Sequence, residues 1–222
     1  MEQPCEMRRV FIVDDHPLVV EWLGALVQLQ KDFMVCGQAP SVEKAKEGIV
    51  ATTPDLVIVD LSLDGDSGLE LMKFFADQPH APRFLVLSMY NELVYAERAF
   101  RSGARAYVMK GETTTRIVTA LHEVVNGRLF FSEAVKDRIN RLSSSKRSEQ
   151  TGSLIEALSD REFQIFQLIG SGRETRRIAE QLKINVKTVQ TYCTRIKEKL
   201  HLETWMDLTT EAILWNERQG RF

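Results

Sequence analysis

The sequence predicts an α/β fold, a five-stranded doubly wound parallel sheet, followed by a small all-α domain. Three observations carry this reading. From Arg9 to about Asn126 short apolar runs alternate with longer amphipathic stretches, the pattern of βα units that build a parallel sheet. A polar, Ser-rich stretch without apolar periodicity, SSSKRSEQTGS at 143–153, then interrupts the pattern. From Leu154 onward every apolar pattern is helical and no strand signal returns. At roughly 150 residues per domain, the 222-residue length fits two compact units, each large enough to bury a core.

The strand candidates are RVFIV, FMVCGQA, DLVIV, RFLVLS and AYVM. Between and after them lie PLVVEWLGALVQLQ, SVEKAKEGIVAT, GLELMKFFADQ, ELVYAERAFRS and TTRIVTALHEVVN, whose apolar residues recur at three and four, as in helices with one face on a sheet. A short connecting segment, NGRLFFSEAVKDRINRL, leads into the Ser-rich linker. Beyond it EFQIFQLI, TRRIAEQL, VKTVQTYCTRIKEKL and MDLTTEAILW have helical spacing. The expected division is therefore a first domain over 7–126, a connecting segment and linker over 127–153, and a helical domain over 154–222.

A 44% hydrophobic and 27% charged composition is that of an ordinary globular chain and excludes disordered or fibrous classes. The N-terminal MEQPCEMRR runs straight into an apolar strand with no signal-peptide core, and no stretch reaches the roughly 20 apolar residues of a membrane span, so a cytoplasmic protein is expected. Cys5, Cys36 and Cys193 have no metal-ligand spacing and read as reduced thiols. A net charge of −2 excludes a uniformly basic coat but not a local basic patch.

In an open parallel sheet ligands bind beyond the carboxyl ends of the strands. The residues there form a coherent set: Asp14 and Asp15 after the first run, Asp60 after the third, Ser88 closing the fourth and Lys110 after the fifth. Carboxylates gathered at low dielectric repel one another, and a hard divalent cation with oxygen ligands, best magnesium, relieves the repulsion. Such a cation would neutralise an incoming phosphoryl group, leaving one carboxylate to attack phosphorus while the ammonium and hydroxyl hold the product's oxygens. The set points to an aspartyl phosphate. Singly, Asp60 reads as a loop carboxylate, Ser88 as a turn residue, Lys110 as a solvated charge, Tyr107 as a core aromatic and His16 as a loop residue.

On these residues the chain over about 7–126 resembles a receiver domain of the CheY-like kind. The resemblance implies that Asp60 accepts the phosphoryl group, that Asp15 binds Mg2+ directly and Asp14 largely through water, and that the backbone carbonyl of Ser62 supplies another oxygen. It matches Ser88 and Tyr107 to the family's switch hydroxyl and aromatic, and Lys110 to its phosphate-site lysine. DLSLDGDSGLE also matches the loop after the acceptor, with Gly68 eight residues on. Two departures stand out: Asp64 where proline is usual, and Met89 where a small residue is usual, which is expected to narrow access to the acceptor.

LSDREFQIFQLIGSGRETRRIAEQLKINVKTVQTYCTRIKEKLHL resembles the LuxR-type helix-turn-helix of NarL/FixJ response regulators. Ser159 or Asp160 suits the cap of its first helix, Glu162 suits the positive helix end, and Gly172 suits the stop. Ile178, Ala179 and Leu182 form the apolar face of a positioning helix, KINV makes the turn, and Val189, Ile196 and Leu200 line the inner stripe of the reader. Family alignment implies base contacts from Gln190, Thr191 and Thr194 and phosphate contacts from Lys187, Arg195 and Lys199. Tyr192 departs from the histidine usual at its position.

The resemblance implies a phosphorylation-controlled DNA-binding regulator, served by a sensor histidine kinase and acting on promoter DNA as a homodimer. The alternative is a phosphorylation-independent regulator whose receiver is a dimerisation module. A metal hydrolase built on the acidic pocket would leave the helical module without purpose, and no GxGxxG follows the first strand to suggest a dinucleotide enzyme.

Overall fold

The computed structural model describes residues 7–63, 66–144 and 154–219. The chain forms two units, 1–144 and 145–222. Asp64, Cys5 and the linker residues 145–153 lie outside the described residues.

In the first unit β1 (Arg8–Val13), β2 (Phe33–Ala39), β3 (Leu56–Val59), β4 (Arg83–Ser88) and β5 (Ala104–Met109) pair in parallel in the order β2-β1-β3-β4-β5. This is the doubly wound sheet expected. α1 (Pro17–Gln28), α2 (Val42–Thr52), α3 (Gly68–Ala76), α4 (Glu92–Arg101) and α5 (Thr114–Val125) follow the strands in turn. Alternation sorts the side chains: Val10, Ile12, Leu56, Ile58, Leu85, Leu87, Ala106 and Val108 share one core cluster with Leu23 and Val27 of α1 and Ile117, Leu121 and Val124 of α5. β3, covered on both faces, is an unbroken apolar run, as a central parallel strand must be.

The order reverses at β1, which sends the chain to β2 on one side and β3 on the other. That reversal opens a crevice at the carboxyl ends of β1 and β3. Two local devices shape its wall. Ser67 caps α3 by accepting from the Leu69 N–H at 3.3 Å. Gly68 brings the backbone so close that an added Cβ would stand 2.2 Å from the Asp60 carbonyl oxygen.

The segment read as connecting is not a mere connector. Phe130 exchanges backbone hydrogen bonds with β5, donating to Arg105 O at 2.9 Å and accepting from the Tyr107 N–H at 3.0 Å. The chain then forms a further helix, α6 (Glu133–Ser144), which belongs to the first unit and packs on α4. Its apolar residues are few, so periodicity alone gave it little signal; Phe131, Val135 and Ile139 are nevertheless buried.

The second unit opens with a single 3₁₀ turn, Leu154–Ala157, then α7 (Asp160–Gly170), α8 (Thr175–Gln181), α9 (Val186–Leu200) and α10 (Trp205–Gln219). Ser159 is the cap of α7: its hydroxyl accepts from the Glu162 N–H while the Glu162 carboxylate accepts from the Ser159 N–H, a reciprocal capping box. Gly172, at φ +74, lets Arg173 turn back to donate to Leu168 O and closes the helix in a Schellman motif. Phe163 and Phe166, both buried, meet the Trp215 ring edge-on.

Candidate functional site

The first site is built by strand ends. Asp14 follows β1, Asp60 follows β3 and Lys110 follows β5, and the crevice brings their side chains together across the sheet. Lys110 Nζ stands 2.7 Å from both Asp14 Oδ2 and Asp60 Oδ2. Asp14 and Asp60 are each 3% exposed. Asp60 Oδ1 accepts from the Ser62 N–H at 3.3 Å. Burial pushes the Asp60 carboxyl above its ordinary range and the Asp14 charge adds to this, while the Lys110 ammonium and the Ser62 N–H oppose it. Burial works against the Lys110 charge, but Asp60 and Asp14 outweigh it and hold the ammonium above its usual value.

His16, one residue past the acidic pair, belongs to the same cluster. Its Nδ1 lies 3.2 Å from Asp14 Oδ1 and 2.9 Å from Asp15 Oδ1. One ligand atom from each of Asp14, Asp15, His16 and Asp60 can be chosen so that all lie within 4.8 Å of one another. Three carboxylates in so small a space suit a hard, oxygen-preferring divalent cation, so the donor set fits magnesium. The adjacency of His16 to the two aspartates in DDHP is the sequence signal for this placement.

Ser88 and Tyr107 face inward rather than to solvent, both at 0% exposure. The Tyr90 N–H donates to Ser88 Oγ at 3.3 Å, and the Tyr107 hydroxyl donates to Tyr90 O at 3.0 Å. Burial drives the Tyr107 phenol well above its ordinary pKa, against a hydrogen bond with Ser88. The Tyr90 ring stacks on Tyr95 of α4 with centroids 4.6 Å apart. Met89, the residue after Ser88, is 74% exposed.

The second candidate surface is α9. Its first turn is set by Asn185, whose Oδ1 accepts from the Thr188 N–H at 2.7 Å, and by Lys183 at φ 50, which ends the short α8. Val189, Cys193, Ile196 and Leu200 are buried, so the opposite face is left to Lys187, Gln190, Thr191, Thr194 and Arg195, all exposed. Thr191 and Thr194 donate their hydroxyl protons to the carbonyls of Lys187 and Gln190, one turn back. They present oxygen lone pairs and methyl groups outward. The Arg195 guanidinium lies 5.9 Å from the centre of the Tyr192 ring. Burial raises the Cys193 thiol to about 11, which fits a packed helix residue rather than a redox sensor.

The same two regions stand out when the chain is compared with known proteins. Residues 10–122 match the model of the response regulator receiver domain, and residues 156–212 that of the bacterial regulatory proteins of the luxR family. The chain is a two-component response regulator of the NarL/FixJ type. It is 30% identical over 207 residues to the response regulator UvrY of Escherichia coli K12, covering 93% of this chain and 94% of UvrY. It is 28% identical over 201 residues to the DNA-binding transcriptional activator EvgA of the same strain, covering 90% of this chain and 95% of EvgA. In fold it is similar to RcsB from Salmonella enterica serovar Typhimurium, solved bound to promoter P1flhDC in the presence of phosphomimetic BeF3−, with a TM-score of 0.58 at 21% identity over 92% of this chain and 98% of that one.

Within this response regulator the side chains of Asp14, Asp15, Asp60 and Lys110 converge at one place, with Ser62 touching Asp60 through its N–H. Lys199 stands apart from the other reader-helix residues: its Nζ lies 2.6 Å from Glu162 Oε2 and 3.3 Å from Ala157 O, bracing the capping box of α7. The pull of Lys199 and of the Ser159 groups outweighs burial and lowers the Glu162 carboxyl. Spacing along α9 gave no signal for this contact, because its partner lies 37 residues away. Among the described residues no helix is long and apolar enough to cross a membrane.

Proposed function

We propose that this response regulator is switched by phosphorylation of Asp60 and then binds promoter DNA as a homodimer through α9. The observation that carries the reading is the buried Asp60 carboxylate, held 2.7 Å from Lys110 Nζ beside two further aspartates. A carboxylate oxygen of Asp60 attacks the phosphorus of a phosphohistidine donor on a sensor histidine kinase. The new O–P bond forms as the N–P bond breaks, and the leaving imidazole keeps the electron pair. Asp14, Asp15, Asp60 and the Ser62 carbonyl would hold Mg2+, which when bound supplies positive charge to the phosphoryl oxygens. Lys110 then exchanges its Asp60 partner for a phosphoryl oxygen. Ser88 supplies a hydroxyl to another, and Tyr107 follows because its own hydroxyl is bonded to the backbone of Tyr90, two residues past Ser88.

The exposed face of α9 offers the chemistry a major-groove reader uses: Gln190, Thr191 and Thr194 for base edges, Lys187 and Arg195 for phosphates. Lys199 belongs to that set only if it leaves Glu162. One such module buries about 600–1,000 Å² on DNA, so tight binding calls for two copies on paired half-sites. RcsB, which shares the fold, has been solved on a promoter with a phosphomimetic, and the same mode of action is proposed for this chain in the cytoplasm.

The test is the intact mass of the full chain incubated with magnesium and acetyl phosphate, beside Asp60→Asn. One phosphate adduct on wild type and none on the variant is expected. The absence of an adduct on wild type, with promoter DNA still bound, would transfer the reading to a phosphorylation-independent regulator.

A further inference from the structure

A stretch of chain beyond α5 lies against the elements that carry the switch residues. Phe130 is bonded through its backbone to Arg105 and Tyr107 of β5, and Phe131 packs edge-on against Phe100 of α4 with centroids 6.1 Å apart. α6 then packs on α4. The side chains of Glu92 and Arg138 help to fasten it. Glu92 Oε1 accepts from the Ser132 N–H at 2.7 Å, just before the N-terminus of α6, and Arg138 Nη1 donates to Leu93 O at 3.0 Å. Both bonds end on the first turn of α4, and Glu92 is only 7% exposed.

That turn begins four residues after Ser88. Ser88 Oγ is bonded to the Tyr90 N–H, the Tyr90 carbonyl to the Tyr107 hydroxyl, and the Tyr107 N–H to Phe130 O. The residues that would rearrange around a phosphoryl group therefore share a direct bond with Phe130, where the attached stretch begins, and lie close in sequence to the turn of α4 where it is held. α6 is 12 residues long and mostly polar, and a helix of that length and composition is marginal in water without a surface to pack on. Its order thus depends on staying docked on α4.

We propose that α6 is a clasp released by the switch: Glu92 and Arg138 hold it to α4 in the resting receiver, and rearrangement at Ser88 and Tyr107 displaces the first turn of α4, freeing the chain that leads into the DNA-binding unit. The inference rests on Asp60 being the phosphoacceptor. Charge-assisted hydrogen bonds are short-range and directional, so a small displacement of that turn weakens both at once. The element with two states is α6 itself, docked and helical or undocked and frayed.

Hydrogen exchange of the full chain tests this, with magnesium and acetyl phosphate present or absent and the intact mass of the same samples recording the adduct. In the phosphorylated protein the amides of α6 are expected to exchange about tenfold faster, the change in opening equilibrium for the loss of about one charge-assisted bond, while those of α1 and α2 stay as they were. Glu92→Gln and Arg138→Ala should each raise α6 exchange without a phosphodonor and leave little for the donor to add. An adduct with unchanged α6 exchange would overturn the clasp, as would both variants exchanging at the wild-type rate. No adduct would overturn the phosphoacceptor reading and the trigger with it, and the two variants would still decide whether Glu92 and Arg138 hold the helix.

Discussion

Lys110→Met removes the cation that lies 2.7 Å from two buried carboxylate oxygens and leaves Asp14 and Asp60 facing each other. At an effective dielectric of about 20, a unit pair at that separation attracts by about 6 kcal/mol, most of it offset by the cost of taking the ions out of water. Removing one partner of such a buried group typically costs about 3–5 kcal/mol, because the remaining charge stays buried without compensation. A loss of about that size is expected in the first unit when divalent cations are chelated at neutral pH. The sign of its pH dependence follows from Asp60. Burial and Asp14 hold its carboxyl above the ordinary range, and loss of the opposing Lys110 raises it further. A carboxyl whose folded pKa exceeds its unfolded value favours the folded state on protonation, so the deficit of Lys110→Met should shrink as pH falls from neutrality through the raised value. Added Mg2+ should restore part of the stability at neutral pH by taking over the charge. Native-state hydrogen exchange of the β1 and β3 amides reads the first unit alone. Exchange unchanged in the variant, or a deficit indifferent to both acid and magnesium, would refute the electrostatic account of the site.

Three further outcomes are expected. Glu162→Gln breaks the ion pair with Lys199 and weakens the capping box, costing the second unit about 1 kcal/mol after screening at the half-exposed Lys199. Because the folded carboxyl lies below its ordinary value, this stability is present at neutral pH and fades as pH falls through the carboxylate range, so the melting curves of wild type and variant should converge in acid. Gly68→Ala puts a Cβ 2.2 Å from the Asp60 carbonyl oxygen, and the backbone must move; a loss of about 1–3 kcal/mol and slower adduct formation are expected, checked by urea unfolding and by the intact-mass time course. Lys187→Ala should lower the slope of log affinity against log salt for promoter DNA by about 0.9, whereas Lys199→Ala should leave the slope alone and lower stability, and equal slope changes in both would return Lys199 to the DNA-contacting face.

How much of this was legible beforehand varied with the range of the interaction involved. The five strands, the five receiver helices and the reader helix show in local periodicity, because burial on one side of a strand or helix writes itself into every second or every third and fourth residue. Strand ends were legible for the same reason, and with them the positions of Asp14, Asp60, Ser88 and Lys110. α6 was not. Among its first eight residues only Val135 and Ile139 are buried hydrophobics, and its attachment also draws on Glu92 and the Leu93 carbonyl, 40 and 45 residues earlier. The choice between Ser159 and Asp160 as the cap needed the backbone, since both side chains accept hydrogen bonds and only the chain's direction at Ser159 selects one.

The sequence by itself determined the order of elements, the division into an α/β unit and a helical unit, and the chemical types gathered at the strand ends. Only the tertiary structure decided that Lys110 bridges Asp14 and Asp60, that His16 reaches both acidic neighbours, that Lys199 braces Glu162, and that α6 is held on the first turn of α4. The physical reason is one of range: periodicity records which face of an element is buried, whereas pairing between charges depends on crossovers and helix packing that bring distant stretches of chain within about 3 Å.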